Sequence, residues 1–391
     1  MNRVARRTLL HLGGYDPVRP EDQHRLFGRE LARYARTWGL TASASALTVE
    51  PDGLTAGWTA ETTGPDWKTH TTYRVLRWDD LVAADMARAT PGRLARALVT
   101  LADFAGTGTA LRYVRASWPY ALFFCFPFAA LALFAAVAGA VGVPVATKAG
   151  VPAGAAAGVA LFVVLYATVG RHWRVAQALD DWDFARGYVR GHRPEVGARI
   201  EKLAEVLLAE ARAGAADEIV LVGHSFGATL ALELLARALD REPGLRVRLL
   251  TVGATIPKLG LHPRGARVRA CAARVAAAPG LAWAEYQACD DPISFYKVDP
   301  LSLRRQRTYE PGSRPMVRRA HVREMLAPET YRRFRHRWVR LHYQFLMAND
   351  QPARYDFFMF ACGPLSFDQI VATPGGPAAL FAADGSVRAA P

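Results

Sequence analysis

A serine stands between two glycines in the pentapeptide GHSFG, residues 223–227. The segment EIVLV, residues 218–222, precedes it, and its run of four apolar residues is typical of a strand buried on both faces. Residues 228–239 follow with the composition of a strong helix. A serine on a sharp turn between a strand and a helix is exposed to substrate, and the adjoining helix terminus favours developing negative charge. The pattern predicts that Ser225 is a nucleophile; the alternative is a glycine-rich turn that happens to contain a serine.

The segment VLVGHSFGA, residues 220–228, resembles the nucleophile region of the α/β-hydrolase superfamily, in particular of its lipase and esterase branches. The resemblance implies an α/β fold whose mostly parallel sheet is flanked by helices. It also implies the chain order serine, acid, histidine for the catalytic groups. A serine hydroxyl needs a base to take its proton, and the base needs an acid to hold its tautomer. His224, inside the turn, is expected to pack and not to act as this base.

Asp291 is the acid that the resemblance favours. It follows the strand predicted at residues 281–287, which is where the superfamily carries its acid, and its Asp-Pro turn resembles the acid loop of lipases. Asp290 is the alternative. An ordinary turn capped by the two aspartates is the structural alternative to both, because Asp-Pro is also a common turn signal.

His342 is the predicted base, with His321 second. His342 lies between apolar neighbours near the end of the predicted fold, whereas the arginines around His336 indicate a solvated face. For the oxyanion hole the resemblance implies one backbone N–H from Phe226. The second would come from Gly14 or Tyr15 in the segment HLGGY, which resembles an HGGG-type loop; the alternative there is a plain turn.

The elements that must position these residues alternate between strand and helix patterns. Helical spacing of apolar residues predicts helices at 20–38, 194–213 and roughly 78–105. Short runs rich in β-branched and apolar residues predict strands at 8–12, 47–49, 71–76 and 247–253. The sequence therefore predicts an α/β fold.

Two long apolar runs interrupt this pattern. Neither the segment between Arg115 and Lys148 nor the segment between Lys148 and Arg171 contains a charged residue. A helix needs about 20 apolar residues to cross a bilayer, so we predict two transmembrane helices near 119–143 and 151–170. The alternative is a pair of buried core helices. Arginines flank the hairpin on its outer sides, which favours a cytoplasmic location for the remainder of the chain.

Composition agrees with a membrane association. The chain has 391 residues and a net charge of +14. A basic balance suits anionic lipid headgroups, nucleic acid or a solvated surface, and no nucleic-acid-binding motif occurs. The 4 cysteines form no C-x-x-C pair, which favours a reducing compartment and no metal site. We expect no cofactor.

These features predict four segments: the first part of a hydrolase domain at 1–110, a hairpin at 111–174, the second part of the domain at 175–372, and a loose tail at 373–391. The expected function is a membrane-anchored serine hydrolase that cleaves a lipid or another apolar ester through an acyl-enzyme on Ser225. An acyltransferase or thioesterase with the same residues is one alternative. A hydrolase-like scaffold with an inactive site is another, and the oligomeric state is left open.

Overall fold

The computed structural model describes residues 3–306, 314–382 and 384–388. The chain forms two compact units. One, here called the sheet unit, comprises Met1–Val82 and Arg193–Pro391, and the other, the helical unit, comprises Ala83–His192. The helical unit contains the predicted hairpin segment and extends beyond it on both sides.

The strands of the described residues form one sheet. In chain order they are β1 Arg6–Leu12, β2 Thr41–Ala44, β3 Thr48–Val49, β4 Thr55–Gly64, β5 Trp67–Leu76, β6 Glu218–His224, β7 Val247–Val252, β8 Leu281–Gln287 and β9 Met316–Arg319. Their order in space is β2-β4-β5-β1-β6-β7-β8-β9, with β3 also paired to β4. Neighbouring strands are parallel throughout the series β5-β1-β6-β7-β8-β9. The pairs that β4 forms with β2, β3 and β5 are antiparallel.

The α-helices begin and end as follows: α1 Pro20–Trp38, α2 Asp79–Met86, α3 Thr90–Gly106, α4 Thr109–Ala116, α5 Trp118–Ala149, α6 Val151–Leu165, α7 Val175–Val189, α8 Pro194–Ala213, α9 Phe226–Arg241, α10 Ile256–Gly260, α11 Ala266–Ala277, α12 Val322–Met325, α13 Pro328–Phe334, α14 Trp338–His342, α15 Phe357–Cys362, α16 Phe367–Ala372 and α17 Pro377–Leu380. The predicted α/β class, with a mostly parallel sheet flanked by helices, is confirmed.

The central strands are buried on both faces, as their continuous apolar sequences predict. Leu9 and Val220 join a core with α1 and α15, whereas Leu10 and Leu221 point to the opposite face, since strand side chains alternate. The helices α8, α9 and α11 pack together on that second face. In the sheet, β1 lies between β5 and β6, and the helices that follow β1 and β6 lie on opposite faces. This arrangement opens a crevice at the carboxyl ends of the two strands. Ligands of open α/β sheets bind in such crevices.

The helical unit is built around α5, with α3 and α7 beside it. Trp182 of α7 is buried among aromatic rings of α3, α4 and α5, namely Phe104, Tyr113, Tyr120 and Phe124. Arg93 of α3 donates to the Asp180 carboxylate (2.8 Å). These contacts place α7 in this unit, although the sequence grouped residues 175–189 with the second part of the hydrolase domain.

Two helices of the described residues, Trp118–Ala149 and Val151–Gly170, are long and apolar enough to cross a membrane. The second continues from α6 through a π-helical turn, Tyr166–Gly170. They approach closely because glycines face each other: a Cβ on Gly154 would lie 2.5 Å from the carbonyl oxygen of Gly142. The first helix is longer than the predicted span 119–143. It continues through Pro144 to Ala149, and Gly150 (φ 91°) connects the two helices.

Two further predictions are corrected. The helix expected over 78–105 is interrupted between Met86 and Thr90. A new helix begins at Thr90 and carries Pro91 in its first turn, where proline is well tolerated. The tail expected to be loose is packed over its described residues. Phe381 is buried beside Trp38 and Trp67, and Trp67 Nε1 donates to the Gly385 carbonyl (2.9 Å). The Phe381 side chain and the backbone at Gly385 therefore attach this Gly/Pro/Ala-rich segment to the core.

Candidate active site

Ser225 occupies the turn between β6 and α9 with φ 55° and ψ −123°, a conformation that costs a non-glycine residue about 1–3 kcal/mol. Its side chain is partly exposed, although its neighbours are buried. The flanking glycines are required by close packing. A Cβ on Gly223 would lie 2.6 Å from Ala228 Cα, and one on Gly227 would lie 2.3 Å from the Leu12 carbonyl oxygen. The turn therefore has the geometry of a nucleophile elbow.

His342 and Asp291 form a buried pair. His342 Nδ1–H donates to Asp291 Oδ2 at 2.7 Å, and both side chains are almost fully excluded from solvent. The other carboxylate oxygen of Asp291 accepts from the Ile293 N–H (3.0 Å) and thereby holds the acid loop. This arrangement assigns the ring proton to Nδ1 and leaves Nε2, which has no hydrogen-bond partner among the described residues, as the basic nitrogen.

The pair lies beside the serine at the carboxyl end of β7. The Ser225 N–H donates to the Val252 carbonyl (3.1 Å), and a Cβ on the next residue, Gly253, would lie 3.1 Å from His342 Cε1. Gly253 has φ 52°, so this position also favours glycine for conformational reasons. The structure therefore brings Ser225, Asp291 and His342 to one edge of the sheet.

The two alternative residues lie in other environments. Asp290 is partly exposed and accepts from the Tyr331 hydroxyl (2.6 Å). His321 begins α12, and its Nδ1 lies 3.4 Å from the Glu324 carboxylate. Asp290 and His321 thus have partners other than each other, whereas Asp291 and His342 are hydrogen-bonded together.

The loop after β1 covers the elbow. A Cβ on Gly14 would lie 2.9 Å from Ser225 Cβ and 3.3 Å from its Oγ, so glycine is required for this approach. Trp78 Nε1 donates to the Gly13 carbonyl (3.0 Å) and holds the loop in place. Two of the three candidate donor residues, Gly14 and Phe226, therefore adjoin the serine, and Tyr15 is the next residue after Gly14. The amino end of α9, with its partial positive charge, begins at the same point. The sequence contained no signal for the contribution of Trp78.

His224 has a positioning contact that the sequence did not reveal. Its Nε2–H donates to the backbone carbonyl of His342 (3.1 Å), and the two rings lie 4.6 Å apart. Burial, together with the neighbouring His342, holds the pKa of His224 well below 6.5. A neutral His224 ring carries no charge that would repel a cationic residue beside it.

Replacing His224 with phenylalanine is expected to lower kcat about tenfold, the value of one lost hydrogen bond to a buried carbonyl. His224→Gln keeps an N–H donor and should retain more activity than His224→Phe. Steady-state kinetics on both variants, at matched thermal stability, measure the effect. Equal losses in the two variants would contradict a hydrogen-bonding role.

A buried polar network holds the loop after β8 that carries Asp291. Gln287, at the end of β8, accepts from the Lys297 N–H (2.8 Å) and donates to the Val298 carbonyl (2.7 Å) and the Glu285 carboxylate (2.6 Å). The other Glu285 oxygen accepts from the Thr251 hydroxyl (3.1 Å). These contacts fix the loop that carries Asp291 to β7 and β8.

Burial raises the pKa of Glu285 to about 8 from an ordinary 4.5, so the folded protein holds a proton that the unfolded chain releases between these values. The stabilisation that the protonated Glu285 carboxyl gives to the folded protein is fully present below pH 4.5, and it is lost as the pH rises through about 8. The thermal midpoint of Glu285→Gln should therefore fall less than that of the wild type between about pH 5 and pH 8. Identical pH dependence of the two proteins would exclude Glu285 as the titrating group.

Among the described residues, no group of three or more His, Cys, Asp or Glu side chains could hold a metal ion. No family model, curated protein or solved structure matches this chain.

Proposed function

We propose that the protein is a serine hydrolase of the α/β-hydrolase type that cleaves a carboxylic ester through an acyl-enzyme on Ser225. One observation carries the proposal: a partly exposed serine in a strained elbow lies beside a buried Asp291–His342 pair. Strand, elbow and helix, together with the chain order serine, acid, histidine, support the resemblance to the superfamily.

In the proposed reaction, Ser225 Oγ attacks the ester carbonyl carbon and its proton passes to His342 Nε2. The N–H groups of Phe226 and of Gly14 or Tyr15 stabilise the resulting oxyanion. The bond to the alcohol oxygen then breaks, and His342 returns the proton to that oxygen. Water, deprotonated by His342, attacks the acyl-enzyme and releases the carboxylic acid and free Ser225. Asp291 orients His342 and stabilises its cationic form throughout.

We further propose that α5 and the helix Val151–Gly170 form a transmembrane hairpin. Within the most apolar window of each helix, 33% and 11% of residues are buried, so these helices do not resemble buried core helices. Large apolar side chains on them are exposed, including Leu122, Leu133, Val159 and Val163. The arginines on the outer flanks support a cytoplasmic location of the sheet unit, and the anchor supports a lipid or apolar ester as substrate.

Labelling with a fluorophosphonate probe tests the hydrolase. The detergent-solubilised full-length chain should be phosphonylated while folded and lose this reactivity on denaturation. Mass spectrometry should locate the adduct on Ser225. A folded protein that is not labelled, or an adduct on another residue, would contradict the proposal. Product analysis with an added alcohol separates hydrolysis from acyl transfer to that alcohol.

Proteolysis of oriented membrane vesicles tests the anchor. Protease should digest the sheet unit in inverted vesicles and leave it intact in sealed vesicles of the native orientation. Release of the intact chain by alkaline washing would instead show that neither helix crosses the bilayer.

A further inference from the structure

A cavity of about 110 Å³ adjoins the elbow on the α1 face of the sheet. Gly14 and His224, the two residues next to Ser225 in space and in sequence, form one wall. Phe27 and Trp58 form part of the opposite wall. An acyl group attached to Ser225 has this cavity directly beside it.

Most polar side chains around this cavity have partners. The Asp16 carboxylate accepts from the Tyr343 hydroxyl (2.6 Å), Gln23 Nε2 donates to the Val18 carbonyl (2.9 Å), and His224 is bound to the backbone of His342. Two polar atoms differ. His11 Nε2 and Trp58 Nε1 are buried and have no hydrogen-bond partner among the described residues.

Unsatisfied buried polar atoms are rare in folded proteins because each one loses its hydration without compensation. Here two of them line one small cavity beside a nucleophile, on side chains that are only 7% and 4% exposed. The lining also fixes both rings. Trp58 stacks on Tyr73 at 4.6 Å, and the Tyr73 hydroxyl lies 3.0 Å from His11 Nδ1.

The two atoms require an oxygen. Trp58 Nε1–H is a donor only. Burial lowers the pKa of His11 to about 4, so the ring is neutral, and a Tyr73 hydroxyl that donates to Nδ1 leaves a proton on Nε2. A keto or hydroxyl oxygen of a bound acyl group can accept from either N–H. A hydroxyl also suits the other tautomer of His11, because it can donate to Nε2.

The cavity has room for the group that carries this oxygen. The volume of about 110 Å³ is the space open to the centre of a water-sized sphere, and one water needs about 10–15 Å³ of such space. An acyl chain of four non-hydrogen atoms, including one oxygen, therefore fits it.

We propose that the cavity is a selective acyl pocket, in which His11 and Trp58 bind the oxygen of a hydroxyacyl or ketoacyl group. This inference rests on the proposed hydrolase function, and it narrows the substrate class to esters of such acids. The alcohol portion of the ester lies outside this pocket and is free to be apolar.

Paired chromogenic esters test the proposal on the full-length protein. The p-nitrophenyl ester of β-hydroxybutyric acid should have a kcat/KM at least about tenfold above that of the butyrate ester, because only the former gives the buried donors an acceptor. Trp58→Phe and His11→Phe should each bring this ratio toward unity. The acetoacetyl ester should rank with the hydroxy ester if Nε2 carries the proton.

Trp118→Phe is the matched control, since Trp118 is exposed and is not a lining residue of the cavity, and the variant should keep the wild-type ratio. Trp58→Phe keeps the aromatic stack, so it provides a second variant should His11→Phe fail to fold. A labelled, active enzyme with equal kcat/KM for both esters would overturn the acyl-pocket proposal and indicate that water occupies the cavity. Absence of both labelling and hydrolysis would overturn the proposed function and this inference with it.

Discussion

Ser225→Ala is expected to lower kcat for ester hydrolysis by about 10⁶-fold, because the variant cannot form the acyl-enzyme and only binding and oxyanion stabilisation remain. Fluorophosphonate labelling should disappear completely. The exposed Ser43 on the edge strand β2 provides a matched control, and Ser43→Ala should retain wild-type kinetics. Kinetics with a chromogenic ester, combined with the thermal midpoint of each variant, measure the effect.

A further substitution, Ser225→Gly, tests the backbone strain at Ser225. Alanine keeps the unfavourable φ of 55°, whereas glycine relieves it. Ser225→Gly should therefore be inactive and yet more stable than Ser225→Ala, by about 1 kcal/mol. Equal stability of the two variants would show that the turn relaxes. Residual activity in Ser225→Ala within about tenfold of the wild type would place the nucleophile on another residue.

Asp291→Asn is expected to lower kcat about 10⁴-fold, as in other triads where an amide replaces the acid and the histidine adopts the wrong tautomer. The side chain keeps an oxygen for the Ile293 N–H, so the loop should stay in place. KM should change little, since Asp291 acts through His342. The loss should be smaller at alkaline pH if hydroxide can replace the missing base function.

Asp290→Asn is the control for this prediction. The residue precedes Asp291 directly, has the same charge, and contacts the Tyr331 hydroxyl in place of His342. Its replacement should leave kcat within about threefold of the wild type, in the range of surface substitutions. If Asp290→Asn and Asp291→Asn lost activity equally, the two aspartates would share the function and the assignment from geometry would be wrong.

The elbow was predictable from the sequence because its causes are local. The apolar run before Gly223, the small residues around Ser225 and the helix-forming residues after it act within a few positions of one another, and each favours the same turn. The α/β class was predictable for the same reason, since the periodicity of apolar residues reports which faces of a strand or helix are buried. The two membrane-length helices were visible as uninterrupted apolar runs.

The sequence could only rank the candidate partners of Ser225, because these residues are distant from it in the chain. His342 and His321 both follow the acid. The apolar neighbours of His342 ranked it first, but its segment alone does not show that it pairs with Asp291 and that His321 lies beside Glu324. That distinction requires the parallel order of β7, β8 and β9, which places the loop after β8 and the segment after β9 at one edge.

The proposed acyl pocket depended entirely on the tertiary structure. His11 and Trp58 are far apart in sequence, on strands separated by β5, and each would pass for an ordinary core residue. They line one cavity because parallel pairing of β1 with β5, and antiparallel pairing of β5 with β4, set the register in which their side chains face α1. Local patterns specify the elements and the serine turn, because they depend on neighbouring residues. Packing between elements decides which side chains surround that serine, because each such contact joins segments that the chain order separates.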